Sequence, residues 1–256
     1  FATALTGAYL PASLPLFVSI PLCILAGFVA GGFAGFIPGF LKAKMGSHEV
    51  INTIMLNFII MAFVNYLVVA HFKVPQTLHT QDVIASSHLA RLSEFIPAFK
   101  GSAANISFFI ALITCVLLYI VLWKTKFGYE LRAVGSNPEA AETAGINVKK
   151  YIIMSMAISG GLAGLLGMNY VLGFKYYFEE GFSSGIGFMG IAVALLGRNH
   201  PFGVILSAFL FGVLSQGGLA INAVVPKELV DILQAIVILS VVASTSEVRR
   251  LIANGK

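Results

Sequence analysis

Within apolar stretches that otherwise carry no ionisable groups away from their ends, the chain places amides and hydroxyls: Asn52, Thr53, Asn57, Asn65, Asn169, Gln216, Asn222 and Gln234. An amide both donates and accepts, so such side chains suit a hydroxylated sugar or a nucleobase moving along an uncharged path. Thr53 and Asn57 stand one i,i+4 step apart and share a helix face. Asn57 and Gln216 are the leading candidates for lining that path. For any one of these residues the competing role is interhelical glue, worth about 0.6 kcal/mol per contact. Tyr176, Tyr177 and Phe182 offer rings for stacking on a base, or an interfacial aromatic belt.

Other chemistry is missing from the sequence. His48, His79, His88 and His200 fall in loops without metal-ligand spacing, so no metal is assigned. Cys23 and Cys115 lie in apolar runs and are too few for a zinc or disulfide framework. No Gly-x-x-x-x-Gly-Lys-Ser/Thr pattern occurs, so the chain does not hydrolyse ATP through a P-loop. A proton-coupled carrier commonly needs Asp, Glu or His deep in the membrane; here only Asp231 comes near, at the edge of a run.

The second constellation is a polar, basic stretch, residues 124–150, set between greasy runs. Asn137 is a strong N-cap, and Pro138 takes the first helical position, where its missing N–H costs nothing. Glu139 lies beside the positive end of the helix dipole. Ala140, Ala141, Glu142 and Ala144 favour helix, and Gly145 suits a left-handed residue just past its end. The spacing predicts a two-turn helix outside the bilayer, either a docking element or a solvated loop helix.

The elements that must carry these groups are membrane helices. Of 256 residues, 58% are hydrophobic and 11% charged, and mean hydropathy is +0.91. Soluble proteins average about 25% charged. Apolar runs at about 14–41, 50–70, 105–123, 151–174, 202–221 and 229–244 reach or approach the ~20 residues a span needs. We expect one all-α polytopic bundle, residues 1–256, with no separate soluble domain. Residues 185–197 are apolar but too short to cross alone, which predicts a half-helix or broken helix. Gly27, Gly31, Gly35 and Gly39 make a smooth ridge for close helix packing, within the subunit or at a homodimer seam. Pro15, Pro21 and Pro38 predict kinks or boundaries. Residues 71–102 read as a long polar loop. The chain opens on Phe1 in a run resembling the tail of a helix, and an N-terminally incomplete chain is expected.

Basic residues orient the bundle. Lys42 and Lys44, the 124–150 loop, Arg198 and Arg249–Arg250 fall on one side if 185–197 crosses the core, and the positive-inside rule makes that side cytoplasmic. The C-terminus is then cytoplasmic and 71–102 faces outward. The pI of 9.2 reflects this bias, with no call for a nucleic acid.

Three stretches carry a resemblance: residues 127–148 (FGYELRAVGSNPEAAETAGINV), 187–203 (GFMGIAVALLGRNHPFG) and 49–57 (EVINTIMLN). Together with the connecting spans, the chain resembles the permease subunit of an ATP-binding-cassette importer, of the family serving simple sugars, nucleosides and branched-chain amino acids. The 49–57 stretch looks most like the nucleoside branch. The resemblance implies that 124–150 is a coupling loop in which Asn137, Pro138, Glu139, Ala140, Ala141, Glu142 and Gly145 seat against a separate ATPase subunit. That partner would use ATP and Mg; this chain would bind no cofactor and would not be an enzyme. It further implies a second permease subunit, identical or different, an extracellular or periplasmic solute-binding protein, and a bacterial cytoplasmic (inner) membrane. The resemblance also implies further N-terminal helices ahead of Phe1, in keeping with the expectation of an N-terminally incomplete chain. Nucleoside ranks first as solute, simple sugar second and branched-chain amino acid third. The rival is an ATP-independent carrier or channel, and an integral-membrane enzyme ranks third.

Overall fold

A computed structural model describes residues 1–221 except 12, 76, 78, 96–100 and 184, together with 229, 232, 233, 235, 236, 239 and 240. Its elements run α1 (Ala2–Tyr9), α2 (Leu16–Met45), α3 (Glu49–Leu67), α4 (Leu92–Phe95), α5 (Ser107–Lys124), α6 (Lys126–Ser136), α7 (Pro138–Thr143), α8 (Val148–Gly164), α9 (Ile186–Leu196) and α10 (Pro201–Ala220). π-helical turns extend α3 over Val68–Phe72 and follow α8 over Met168–Lys175. Five of these helices are long and apolar enough to cross a membrane: Leu16–Met45, Glu49–Phe72, Ser107–Lys124, Val148–Lys175 and Pro201–Ala220. The fold is an all-α polytopic bundle. The expected span at 229–244 and the basic C-terminus lie largely outside the described residues.

Two compact units divide the chain, one from residues 1–111 and 122–182, the other from 112–121 and 183–256. The first is organised on α2 and α8. At Gly31 and Gly35 a Cβ would collide with the backbone carbonyls of Gly160 and Met156, and at Gly160 and Gly164 with those of Gly31 and Gly27. The glycine ridge is therefore an intrasubunit seam where two backbones touch, which is how membrane helices gain packing without a hydrophobic driving force. Pro15 caps α2, whereas Pro21 and Pro38 sit inside it and the chain stays helical through both. They are not the boundaries the sequence suggested, because a bilayer-length helix keeps its remaining backbone bonds rather than exposing them to lipid.

Of the long polar loop expected at 71–102, the described residues between 73 and 95 fold onto the end of the α2–α8 pair. Val83 and Leu89 are buried with Ala4, Cys23, Val171 and Leu172. The backbone N–H groups of Thr80 and Val83 donate to the carbonyls of Phe178 and Tyr176 at 3.0 and 2.7 Å, and that of Leu89 to Leu172 at 2.8 Å. Three isolated bridges, Lys73–Thr80, His79–Glu179 and Arg91–Asn105, complete a small cap.

In the second unit, α9 and α10 form a tight hairpin. Arg198 and Asn199 both take positive φ of 53°, and Pro201 opens α10. A Cβ on Gly203 would strike the Gly197 carbonyl, so both glycines permit the turn. With 11 residues at about 1.5 Å each, α9 spans only about half the hydrocarbon core, as a half-helix does.

Candidate functional site

The short helix expected after Asn137 forms as its caps dictate. Asn137 Oδ1 accepts from the Ala140 N–H at 3.1 Å, Pro138 occupies the first turn with Glu139, and Gly145 takes φ +81°. The Gly145 N–H then bonds the Glu142 carbonyl at 2.9 Å. Glu139, Ala140, Glu142 and Ala144 are exposed. Ala141 is only 4% exposed and packs with Val134 and Tyr151, so it seats the helix rather than offering itself to a partner.

That seat is a helix the sequence reading missed. Residues 126–136 form α6, opened by Thr125, whose Oγ1 accepts from the Gly128 N–H at 3.2 Å. Its inner face presents Phe127, Leu131 and Val134 to Tyr151 at the start of α8. The Tyr151 hydroxyl donates a short bond to Glu130 Oε2, Lys126 Nζ lies 3.6 Å from the other carboxylate oxygen, and the Phe127 and Tyr151 rings are 5.4 Å apart. Arg132 covers the Trp123 ring at 5.5 Å. A helix–turn–helix is thus bolted to the end of a membrane span, with α7 outermost. The apolar positions 127, 131 and 134, spaced i, i+4, i+7, were the available signal.

The amides divide. Thr53 and Asn57 are exposed on one face of α3; Thr53 Oγ1 donates back to the Val50 carbonyl at 3.0 Å, and Asn57 Nδ2 lies 3.8 Å from Met61 Sδ. Asn65 is half-buried, and eight residues on it is turned about 80° from Asn57. Asn52 donates to Ser47 Oγ at 2.6 Å and stabilises the α2–α3 turn together with the 2.8 Å Lys42–Glu49 ion pair. It also borders an apolar cleft of about 150 Å³ between Ile37, Leu41, Met55 and Ile59. Apart from Asn52 the cleft is lined by apolar side chains, so it offers little to a polar solute. Gln216 is exposed on α10 in the second unit. Asn222 and Gln234 lie outside the described residues.

Asn169 stands apart. Its Oδ1 accepts from Asn105 Nδ2 and from Ser107 Oγ, both at 2.9 Å, and Asn105 Oδ1 accepts from the Ser107 backbone N–H at 2.9 Å. Asn105 is 2% exposed, and its amide fills the space a Cβ on Gly173 would need. Asn105 and Ser107 went unnoticed in the sequence because their partner is over 60 residues away.

The rings offered for base stacking or an interfacial belt each stack on another ring of the first unit. Tyr176, at φ +66°, stacks on His88 at 3.9 Å and receives a 3.2 Å bond from Arg91 Nε on its hydroxyl. Tyr177 stacks on His79 at 4.3 Å, and Phe182 on Tyr170 at 4.4 Å. The Tyr170 hydroxyl donates to Glu179 at 2.5 Å, and Lys175 Nζ sits 3.2 Å from the same oxygen. The Tyr170 bond first, then Lys175, holds the Glu179 carboxyl below the usual carboxylate range. Among the described residues no group of three His, Cys, Asp or Glu side chains is placed to hold a metal.

Residues 1–242 match the family model described as "Branched-chain amino acid transport system / permease component". The nucleoside ABC transporter permease protein NupB of Lactococcus lactis subsp. cremoris is 39% identical over 88% of this chain and 64% of its own length. The guanosine ABC transporter permease protein NupP of Bacillus subtilis is 40% identical over 90% and 66%. The glucose ABC transporter permease protein TsgB13 of Haloferax volcanii is 35% identical over 91% and 63%. The chain spans just under two thirds of the length of these relatives. No solved structure matches it.

Proposed function

We propose that this chain, which belongs to the permease-component family of branched-chain amino acid transport systems, is a membrane-spanning subunit of an ATP-binding-cassette importer for nucleosides. The observation that carries the reading is α7, a capped, exposed helix held on the end of a membrane span by Ala141, Val134 and Tyr151. A helix built and supported in this way transmits force from a partner. The partner is a separate ATPase, which supplies ATP and Mg chemistry that no motif in this chain supports. Glu139 and Glu142 meet basic groups on the ATPase, and Ala140 and Ala144 let it approach closely.

Nucleoside is preferred because two relatives near 40% identity are named for nucleoside and guanosine. A simple sugar ranks next, after the glucose-named relative at 35%. Thr53, Asn57, Asn65, Asn169, Gln216 and Asn222 are the candidate path residues. A second permease subunit completes the pore, and a solute-binding protein delivers the cargo to the 73–95 cap. The 124–150 loop and the C-terminus face the cytoplasm of a bacterial inner membrane.

The test is uptake of labelled inosine, glucose and leucine by the full complex in proteoliposomes, with and without internal ATP. ATP-dependent inosine uptake is expected. Uptake that persists without ATP, from a chain that never co-purifies with an ATPase, would establish the ATP-independent carrier instead. ATP-dependent leucine uptake without competition by nucleosides would overturn the solute ranking.

A further inference from the structure

The importer reading leaves open how the candidate path amides are oriented; the bonds around Asn169 fix its own orientation by elimination. A backbone N–H can only donate, so the atom of Asn105 that receives the Ser107 N–H must be its oxygen. The other terminal atom of Asn105 is then its nitrogen, which donates to Asn169. The Asn169 atom facing Asn105 and Ser107 is therefore its carbonyl oxygen, already holding two donors. No flip of the amide survives this chain of constraints. The Asn169 NH₂ group must point away from the cluster, and the residue is exposed. Among the described residues nothing accepts from it.

The site is built for this presentation. Asn105 is almost wholly buried, a placement that costs free energy unless its bonds are made. Gly173 leaves the room its amide occupies. Asn169 is the second residue of the π-helical stretch Met168–Lys175, and wide turns within helices are frequently found at functional sites. It also lies within the candidate span Val148–Lys175, where two N–H donors facing lipid would each cost several kcal/mol.

We propose that Asn169 is a donor-only contact on the solute path, presenting its NH₂ to an acceptor atom of the cargo, a ribose hydroxyl oxygen or a purine carbonyl or ring nitrogen. Asn105 and Ser107 are the positioning residues that fix its polarity. This rests on the importer reading, and the experiment separates the two.

In the full complex, Asn169→Asp keeps an oxygen for Asn105 and Ser107 but removes the donors. Inosine uptake is expected to fall about tenfold, the equivalent of one lost hydrogen bond of about 1.4 kcal/mol, with the amount of complex in the membrane unchanged. Where wild-type discriminates inosine from nebularine and Asn169→Asp does not, the acceptor is on the base; the same loss against 2′,3′-dideoxyinosine places it on the ribose. A second variant, Asn169→Cys, is expected to react with a membrane-impermeant methanethiosulfonate above the level of the parent chain. Inosine, glucose and leucine are then tried in turn as protectants. Protection by glucose or leucine with no nucleoside uptake by wild-type would sink the nucleoside ranking and leave the contact standing. Absence of labelling, labelling that no solute slows, or wild-type uptake by Asn169→Asp would overturn the proposal and leave Asn169 as a subunit contact or glue.

Discussion

Single bonds carry most of what is particular to this chain. The Tyr151–Glu130 bond, made to a charged acceptor, holds α6 on α8. Tyr151→Phe, which keeps the ring against Phe127, should loosen α6 without unfolding the spans. Trypsin cleavage at Lys124 and Lys126 should then quicken several-fold in the folded protein; an unchanged rate would mean the apolar contacts alone hold the helix. Beyond the π-helical stretch that follows α8, Glu179 gives a pH effect of defined sign. Its folded pKa lies below the unfolded value, so its contribution is complete above the unfolded pKa, about 4.3. It is lost as pH falls through the folded value. Tm should therefore drop more steeply with acid below about pH 4.3 in the wild-type than in Glu179→Gln. Parallel Tm curves would assign the acid sensitivity to other groups.

Elements formed where local chemistry demanded them and joined where it could not be read. The helix at 138–143 was legible because Asn137, Pro138 and Gly145 act within a few residues of one another. The short α9 was legible from its length between Gly185 and Gly197. By contrast, the cap depends on bonds such as Phe178 N–H to Thr80 Oγ1, across 98 residues, and no local pattern reports a pairing so distant. The Asn105–Asn169 bond is hidden for the same reason, whereas α6 was hidden by its low apolar content amid basic residues. The glycine ridge was visible, but its partner on α8 was not determined until the two backbones were placed together. Its energetics can be checked directly. Gly160→Val puts a side chain where the Gly31 carbonyl already lies and should destabilise by about 1–3 kcal/mol or more, seen as a lower Tm and poor folded yield. Gly187→Ala on α9, with nothing within 4 Å of the added methyl, should leave Tm unchanged or raise it. Equal loss in both would mean the seam is not the tight contact.

Across the first unit, these contacts make a continuous mechanical path from α7 through Ala141 and Tyr151 to α8, and across the glycine seam to α2. Because α2 and α8 touch backbone to backbone, they cannot slide past each other without steric collision, so a push on α7 moves both together. On the proposed importer reading, docking of an ATPase and transmission to the spans are separable along this path. Glu139→Lys reverses the charge on the exposed face while leaving the seat of α7 intact, and the ATPase should no longer co-purify. Gly145→Val forces a β-branched residue to φ +81°, straining the turn that releases the chain from α7, whereas Gly145→Asn tolerates that region. Transport-coupled ATP hydrolysis should be lost in the first of these two and kept in the second. Ala141→Leu acts on the inner face, where the added bulk has no room beside Val134 and Tyr151 and must lift α7 off its seat. The exposed glutamates survive, so the ATPase should still bind, but its closure should no longer pull on α8. The measurement is the ratio of ATP hydrolysed to inosine taken up in proteoliposomes. That ratio should rise several-fold in Ala141→Leu with co-purification retained. A ratio equal to wild-type would show that force reaches α8 by a route other than Ala141 and Tyr151.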